Sequence, residues 1–330
     1  MPVLPPHARR ALTAAPLALA LVALGCGSDE STTTAASTST PDASAFPASK
    51  GKSLADLEAE ATESDLVAVP TVSVFEPGDN RYAFGLFTVS HEAISDADVA
   101  LYAAPAKGQD EALGPFPAVS EDLKTPAAFA ALTTTGDPDA ATNVYRADVD
   151  LPENGDWRVL AMVREDDGSY SFSRVTAPTV VGGGDRVPDV GDRAPEISTP
   201  TAEDVGGDLS KIDTRQPPDS MHDVDYADVL GKEPIVLSFA TPALCTSRVC
   251  GPVVDIAEEV KAERPDDATY IHMEIYTDND VNKGVNEQVA EFGLPTEPWL
   301  FVIDEEGKIV ARIEGAYSKA ELEAALDEVA

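Results

Sequence analysis

Cys245-Thr246-Ser247-Arg248-Val249-Cys250 decides how this chain is read. It follows Ile235-Val236-Leu237-Ser238-Phe239, a short apolar run of the kind that forms a strand covered on both faces. It precedes Gly251-Pro252-Val253-Val254-Asp255-Ile256-Ala257, the opening of a helix whose buried side is marked by Val253, Ile256, Ala257 and Val260. A thiol pair between a buried strand and a helix start points to redox chemistry. On a regular helix, cysteines five positions apart stand roughly 8–9 Å apart at Cα, beyond the ~7 Å that a disulfide spans. A bridge therefore requires residues 245–249 to be loop.

Downstream, the pattern alternates between strand and helix. Residues 270–276 alternate as a strand, with Ile271, Met273 and Ile275 on one face. Asn279 or Asp280 caps a helix carrying Val281, Val285, Val289 and Phe292. Trp299-Leu300-Phe301-Val302-Ile303 reads as a strand, Asp304-Glu305-Glu306-Gly307 as a turn and Ile309-Val310-Ala311-Arg312-Ile313 as the hairpin partner. Ser318-Lys319-Ala320-Glu321 is a capping box for a last helix with Leu322, Leu326 and Val329. The order is β-α-β-α-β-β-α.

The 330 residues suffice for two domains, each with its own core. Acidic residues number 59 against 23 basic ones, a formal charge of −36, which repels nucleic acid and anionic lipid head groups. The N-terminus has Arg9-Arg10, an apolar run over 11–24 and then Ala23-Leu24-Gly25-Cys26, the layout of an export signal. The run is shorter than the ~20 residues of a membrane span. The segment resembles the bacterial lipoprotein signal, with Ala23 where that pattern prefers Leu. The resemblance implies that residues 1–25 are removed, that Cys26 is lipidated and that the chain is anchored to the outer face of the cell membrane by lipid alone. Cys245 and Cys250 then remain for each other in a compartment that permits disulfides.

Residues 26–64, rich in Ser, Thr, Ala and Asp, read as a flexible low-complexity tether. From 65 to 181 short β-type runs alternate with turns: Leu66-Val67-Ala68-Val69, Thr71-Val72-Ser73-Val74-Phe75, residues 82–87, 99–102, 145–149 and 157–163. This spacing predicts a β-sandwich. Arg81-Tyr82-Ala83-Phe84-Gly85-Leu86 and Leu151-Pro152-Glu153-Asn154-Gly155-Asp156-Trp157-Arg158-Val159 resemble immunoglobulin-like modules of exported bacterial proteins. Trp157 is read as a core anchor, and His91 as a lone solvated side chain. Residues 182–189 form a glycine-rich linker. Residues 201–228 are polar and irregular around Pro217-Pro218, and Asp223, Asp225 and Asp228 near His222 read as a solvated acidic face rather than a cation site.

Residues 190–330 resemble the thioredoxin fold in three places: the dithiol after the first strand, the opening Val190-Gly191-Asp192-Arg193-Ala194-Pro195, and the hairpin 301–309, similar to F-x-I-D-x-x-G-x-I. The resemblance implies an α/β thioredoxin-like domain that exchanges disulfides with a protein partner and needs no cofactor or metal. By position, Pro298 matches the cis-proline that presents backbone to an extended partner segment, with Glu297 beside the thiols, where its charge opposes thiolate formation. Two alignments of the cysteines stay open. Cys250-Gly251-Pro252-Val253 resembles C-G-P-C with the partner thiol moved to Cys245; Cys250 is then the preferred nucleophile, favoured as thiolate by the helix end and by Arg248. Thr241-Pro242-Ala243-Leu244-Cys245-Thr246 resembles T-P-G-C-T of the Q-type peroxiredoxins, with Cys245 attacking peroxide and Cys250 resolving. That alignment carries one extra residue and lacks an arginine near the later strand to polarise peroxide. A third reading is a binding module with a static disulfide. A copper role, known for Sco-type relatives, needs a further ligand, and His272 falls in mid-strand rather than in the late loop.

Overall fold

Among the described residues nine strands build the N-terminal half, the central ones buried over continuous runs: β1 Thr62–Glu63, β2 Leu66–Pro70, β3 Gly78–Thr88, β4 Asp98–Pro105, β5 Leu113–Asp122, β6 Asn143–Leu151, β7 Gly155–Arg164, β8 Tyr170–Arg174 and β9 Thr179–Val181. The structure is a computed structural model that describes residues 40–108, 111–183 and 186–329. The signal segment, Cys26 and the tether up to residue 39 lie outside the described residues. The strands form one mixed sheet in the order β1-β8-β7-β4-β5-β6-β3-β2, with β9 on β7. β1 and β2 are consecutive in sequence but close opposite ends of this path, β1 running parallel to β8. The sheet therefore curls into a half-barrel. Its concave side holds Tyr82 stacked on Phe75, with ring centroids 5.1 Å apart, and Phe84 on Tyr145 at 5.4 Å. Trp157 is a core residue at 7% exposure, its indole N–H donating to the Glu153 carbonyl at 3.0 Å.

Three expectations for this half change. The strands join one continuous curled sheet, through β5 between β4 and β6, where a sandwich of two separate sheets is expected from their spacing. Part of the stretch read as a flexible tether is ordered, with helix α1 Leu54–Ala59 opened by a Ser53/Asp56 capping box. Its Leu54 and Leu57 join Phe46 in covering Tyr102, Leu160 and Met162 on the convex side of the sheet. A few apolar side chains suffice there because the sheet offers them a ready-made face. Residues 71–75, read as a strand, form no ladder. The backbone N–H groups of Ser73 and Val74 instead donate to the Glu314 carboxylate, both at 2.9 Å. β5 carries no strand pattern in its sequence, because Pro115 and Pro117 interrupt the alternation.

The second sheet has the order β11-β10-β12-β13, from β10 Ile235–Phe239, β11 Thr269–Met273, β12 Trp299–Ile303 and β13 Ile309–Glu314. β11 is parallel to β10, and β12 antiparallel. The helices are α2 Leu132–Thr135, lying between β5 and β6, then α3 Tyr226–Val229, α4 Cys250–Glu263, α5 Glu287–Glu291 and α6 Lys319–Leu326. Period-two alternation assigns β10 to two cores. Val236 packs with α4 and α6, while Ile235, Leu237 and Phe239 face Phe292 and Phe301. The order β-α-β-α-β-β-α is as read, and Ser318 and Glu321 make the expected capping box. The helix expected over 279–292 is shorter. Gly284 at φ +78° breaks the chain and Asn286 starts α5, leaving Val281 and Val285 each half exposed. No described helix is long and apolar enough to cross a membrane.

The two sheets are tied by polar contacts. Arg81 on β3 donates to both oxygens of Glu321 on α6, at 2.6 and 2.8 Å, and to the carbonyls of Glu314 and Ala316.

Candidate redox site

β10 delivers the chain into the site and α4 leads it out. After Phe239, the Thr241 carbonyl accepts the N–H groups of Leu244 and Cys245, which turns the chain back. Cys245 and Cys250 are joined as a disulfide with Cα atoms 6.0 Å apart, and residues 245–249 are not helical, as the spacing required. α4 begins at Cys250 itself. Pro252 falls in the first turn, where a missing N–H costs nothing. Cys250 is sealed at 0% exposure, whereas Cys245 retains 6% and lines a cleft of about 400 Å³.

The opposite wall of this cleft comes from the N-terminal half, in Leu132, Thr134, Asp137 and Ala140. Segment 129–141 is strapped to the thiol region by hydrogen bonds along its length. The Ala131 N–H donates to Asp255 on α4 at 3.1 Å, and the Leu132 N–H to the Gln216 carbonyl at 2.7 Å. The Ala141 N–H donates to the Arg248 carbonyl at 3.0 Å, and Arg215 donates both to Asp255 and to the Phe129 carbonyl. Burial pushes the Asp255 carboxyl up, against the pull of Thr134, Ala131 and Arg215. Nothing in the sequence announces this cover, because each contact joins residues far apart in the chain.

Arg248 adopts a left-handed backbone, φ +64°, and its guanidinium donates to Asp137 at 2.8 Å. Its positive charge is thus shared with a carboxylate of the cover rather than held for a thiolate alone. The Glu297–Pro298 peptide is cis. Pairing of Phe239 with Trp299 brings Pro298 to the same end of the sheet as Ala240 and the cysteine loop. The Pro298 carbonyl accepts the Gly315 N–H at 2.8 Å. Glu297 is half-buried and burial pushes its carboxyl up; its charge in turn raises the Tyr276 phenol, which burial has already raised. Neither Pro298 nor Glu297 lines the cleft at Cys245. His272 sits in mid-β11 as read, fully buried and bonded to Asp219 and to the Ala240 carbonyl.

No curated protein matches the chain. Among solved structures, it is similar to a putative thiol:disulfide interchange protein DsbE from Chlorobium tepidum, at 18% identity over 42% of this chain and 99% of that one, with a TM-score of 0.30. A thioredoxin-family thiol:disulfide interchange protein from Chlorobium tepidum TLS matches at 17% identity over 43% of this chain and 99% of that one, TM-score 0.28. A putative protein disulfide isomerase from Bacteroides thetaiotaomicron matches at 14% identity over 43% and 88%, TM-score 0.26. The family model described as a thioredoxin-like domain matches residues 232–330. With the sheet order above, the C-terminal part of this chain is a thioredoxin-like domain.

Proposed function

We propose that the protein is an extracytoplasmic thiol-disulfide oxidoreductase, held to the outer face of the cell membrane by lipid on Cys26, that exchanges the Cys245–Cys250 disulfide with a protein partner. The observation carrying this reading is the asymmetry of the bridge: Cys245 lines an open cleft and Cys250 is sealed at the first residue of α4. A partner thiolate entering the cleft attacks Cys245 Sγ, forming a mixed disulfide. The electron pair of the broken S–S bond leaves on Cys250 Sγ, where the N-terminal end of α4 stabilises the thiolate. A second thiolate of the partner then attacks the partner sulfur of the mixed disulfide and displaces Cys245 as thiolate. The partner leaves oxidised and this protein reduced; the reverse sequence oxidises this protein. Exposure therefore favours Cys245 as the partner-facing sulfur, in place of the Cys250 preferred from sequence. At the same sheet end the cis bond to Pro298 positions the backbone of Glu297 for an extended partner segment, and Arg248 borders the cleft.

The N-terminal half, over residues 65–181, is read as an immunoglobulin-like spacer or docking module joined by the 182–189 linker to a domain over 190–330. Ladders β3 with β6, β4 with β7 and β7 with β8 correspond to the B–E, C–F and F–G pairings of that fold, with β5 linking the two sets. The test is separate replacement of the cysteines. Cys250→Ser, with Cys245 free, is expected to accumulate mixed disulfides with protein partners, and Cys245→Ser far fewer. Absence of adducts from both variants refutes the exchange reading. The sealing of Cys250 favours one second reading, a binding module with a static bridge, to which that outcome would lead. Hydrogen peroxide consumption that depends on Cys245 would point instead to the peroxidase alignment.

A further inference from the structure

We propose that Asp213, Asp219, His222 and His272 form a buried, closed site for one divalent transition cation of the zinc class. The four side chains are each at most 2% exposed, and one donor atom from each lies within 4.8 Å of all the others. Three come from the polar approach segment before β10 and the fourth from the middle of β11, so only the tertiary fold assembles them. The acidic residues read beside His222 in the sequence are different ones: Asp223 and Asp228 face solvent, and Asp225 caps α3.

The ligand set is pinned as a metal site requires. Asp213 accepts the N–H groups of Arg215 and Asp219, both at 2.7 Å, and Asp219 accepts the Met221 N–H at 2.9 Å. These bonds fix both carboxylates while leaving lone pairs facing the centre. His272 turns Nδ1 toward Asp219 Oδ2, at 2.6 Å, and Nε2 to the Ala240 carbonyl at 3.1 Å. A ring N–H given to a backbone carbonyl fixes the tautomer of a metal-bound histidine, with the other nitrogen as ligand; without an ion Nδ1–H donates to the Asp219 carboxylate, and it is this proton that the ion would replace. His222 supplies an independent observation. Among the described residues neither of its ring nitrogens has a hydrogen-bond partner. Yet Nε2 lies 3.3 Å from Asp219 Oδ1 and 3.4 Å from Asp213 Oδ2, so it is aimed at the carboxylates. A buried imidazole left without a partner is costly.

The distances fit. Ligands about 2.0–2.2 Å from a tetrahedral ion stand about 3.3–3.6 Å from one another. The His222 separations already have this value, and the His272–Asp219 contact has to open by less than about 1 Å. Two imidazoles and two carboxylates suit zinc and its neighbours rather than calcium or magnesium. Glu274, two residues along β11, adds negative charge: one oxygen accepts the Thr214 N–H at 2.7 Å and the other has no partner. Four protein ligands with almost no solvent exposure make a structural site rather than a catalytic one, since catalysis needs an open position. Its effect is to clamp the approach segment to β11 under Ala240, where the chain turns toward Cys245.

The experiment uses the mature chain, dialysed against chelator and titrated with zinc, cobalt or manganese alone. Expected are one bound ion per chain by elemental analysis, a rise in melting temperature on adding metal, and a cobalt spectrum without thiolate bands. His222→Ala and Asp213→Asn are expected to weaken binding by more than about 100-fold, with far-UV circular dichroism matching the chelated parent. A Cys245→Ser/Cys250→Ser double variant is expected to bind as the parent does, which excludes the thiols. Failure of all three metals to bind a folded parent overturns the proposal, as does binding lost with the cysteines but kept in His222→Ala.

Discussion

Arg248 concentrates the tension of the site in one residue. Its left-handed backbone costs an L-residue with a side chain about 1–2 kcal/mol, and its ion pair with Asp137, half exposed on the arginine side, returns about 0–1 kcal/mol. Arg248→Gly is therefore expected to change the urea midpoint by an amount equivalent to less than about 1 kcal/mol, because it relieves the backbone while losing the pair. Arg248→Val, branched at Cβ, is expected to destabilise by about 2 kcal/mol or more. The sequence shows that Arg248 stands between two cysteines. It does not show the sign of φ, which is imposed by the closed bridge and by the Ala141 N–H on the Arg248 carbonyl.

At the level of elements, the start of α4 meets the cover segment at Gly251. A Cβ there would lie 2.7 Å from Thr134 Oγ1. Gly251→Ala is expected to displace the cover at a cost of about 1–3 kcal/mol, so that dithiothreitol reduces the Cys245–Cys250 bridge at least about fivefold faster. Thr134→Ala added to it is expected to restore the parent rate; a double variant as fast as the single one would show that the clash is not the cause. At the other end of the domain, Ser318 accepts the Glu321 N–H at 3.2 Å in the capping box of α6. Ser318→Ala is expected to lower stability by about 1 kcal/mol in chemical denaturation. The capping box could be read from sequence because its partners are three residues apart. The cover could not, because its partners are more than eighty residues apart.

The whole molecule is held in a pH-dependent way by the Arg81–Glu321 lock. Burial alone would raise the Glu321 carboxyl, but the two Arg81 hydrogen bonds and the charges of Arg81 and Arg146 outweigh it and hold the carboxyl below its ordinary value of 4.5. A carboxyl depressed in the folded state contributes stability that is complete above its unfolded value and is lost as pH falls through the folded one. Glu121, beside the same Arg146, acts oppositely: burial and the Glu321 charge raise it. Arg81→Ala isolates the lock. It is expected to cost about 2–4 kcal/mol near neutrality, by removing both Arg81 hydrogen bonds to Glu321, which keeps only Arg146 at 3.4 Å and the Ser318 N–H at 3.3 Å, and by leaving two carbonyls without this donor. That deficit is expected to shrink in urea titrations as pH falls from the unfolded value of 4.5 through the depressed folded one, where Glu321 becomes neutral. An equal deficit at both pH values would remove Glu321 from the account.

Local pattern by itself determined the order of strands and helices in residues 235–329, the need for loop between the cysteines, and the capping box at Ser318. Each depends on neighbours a few positions apart, where periodicity and backbone reach dictate the outcome. The tertiary structure alone decided which sulfur meets the cleft, what covers it, and where Arg248 spends its charge. It also turned residues 71–75 onto Glu314 instead of into a ladder, and gathered Asp213, Asp219, His222 and His272 in one buried place. Those outcomes come from contacts between distant segments, whose energies depend on how sheets and helices pack and leave no periodic trace in the chain.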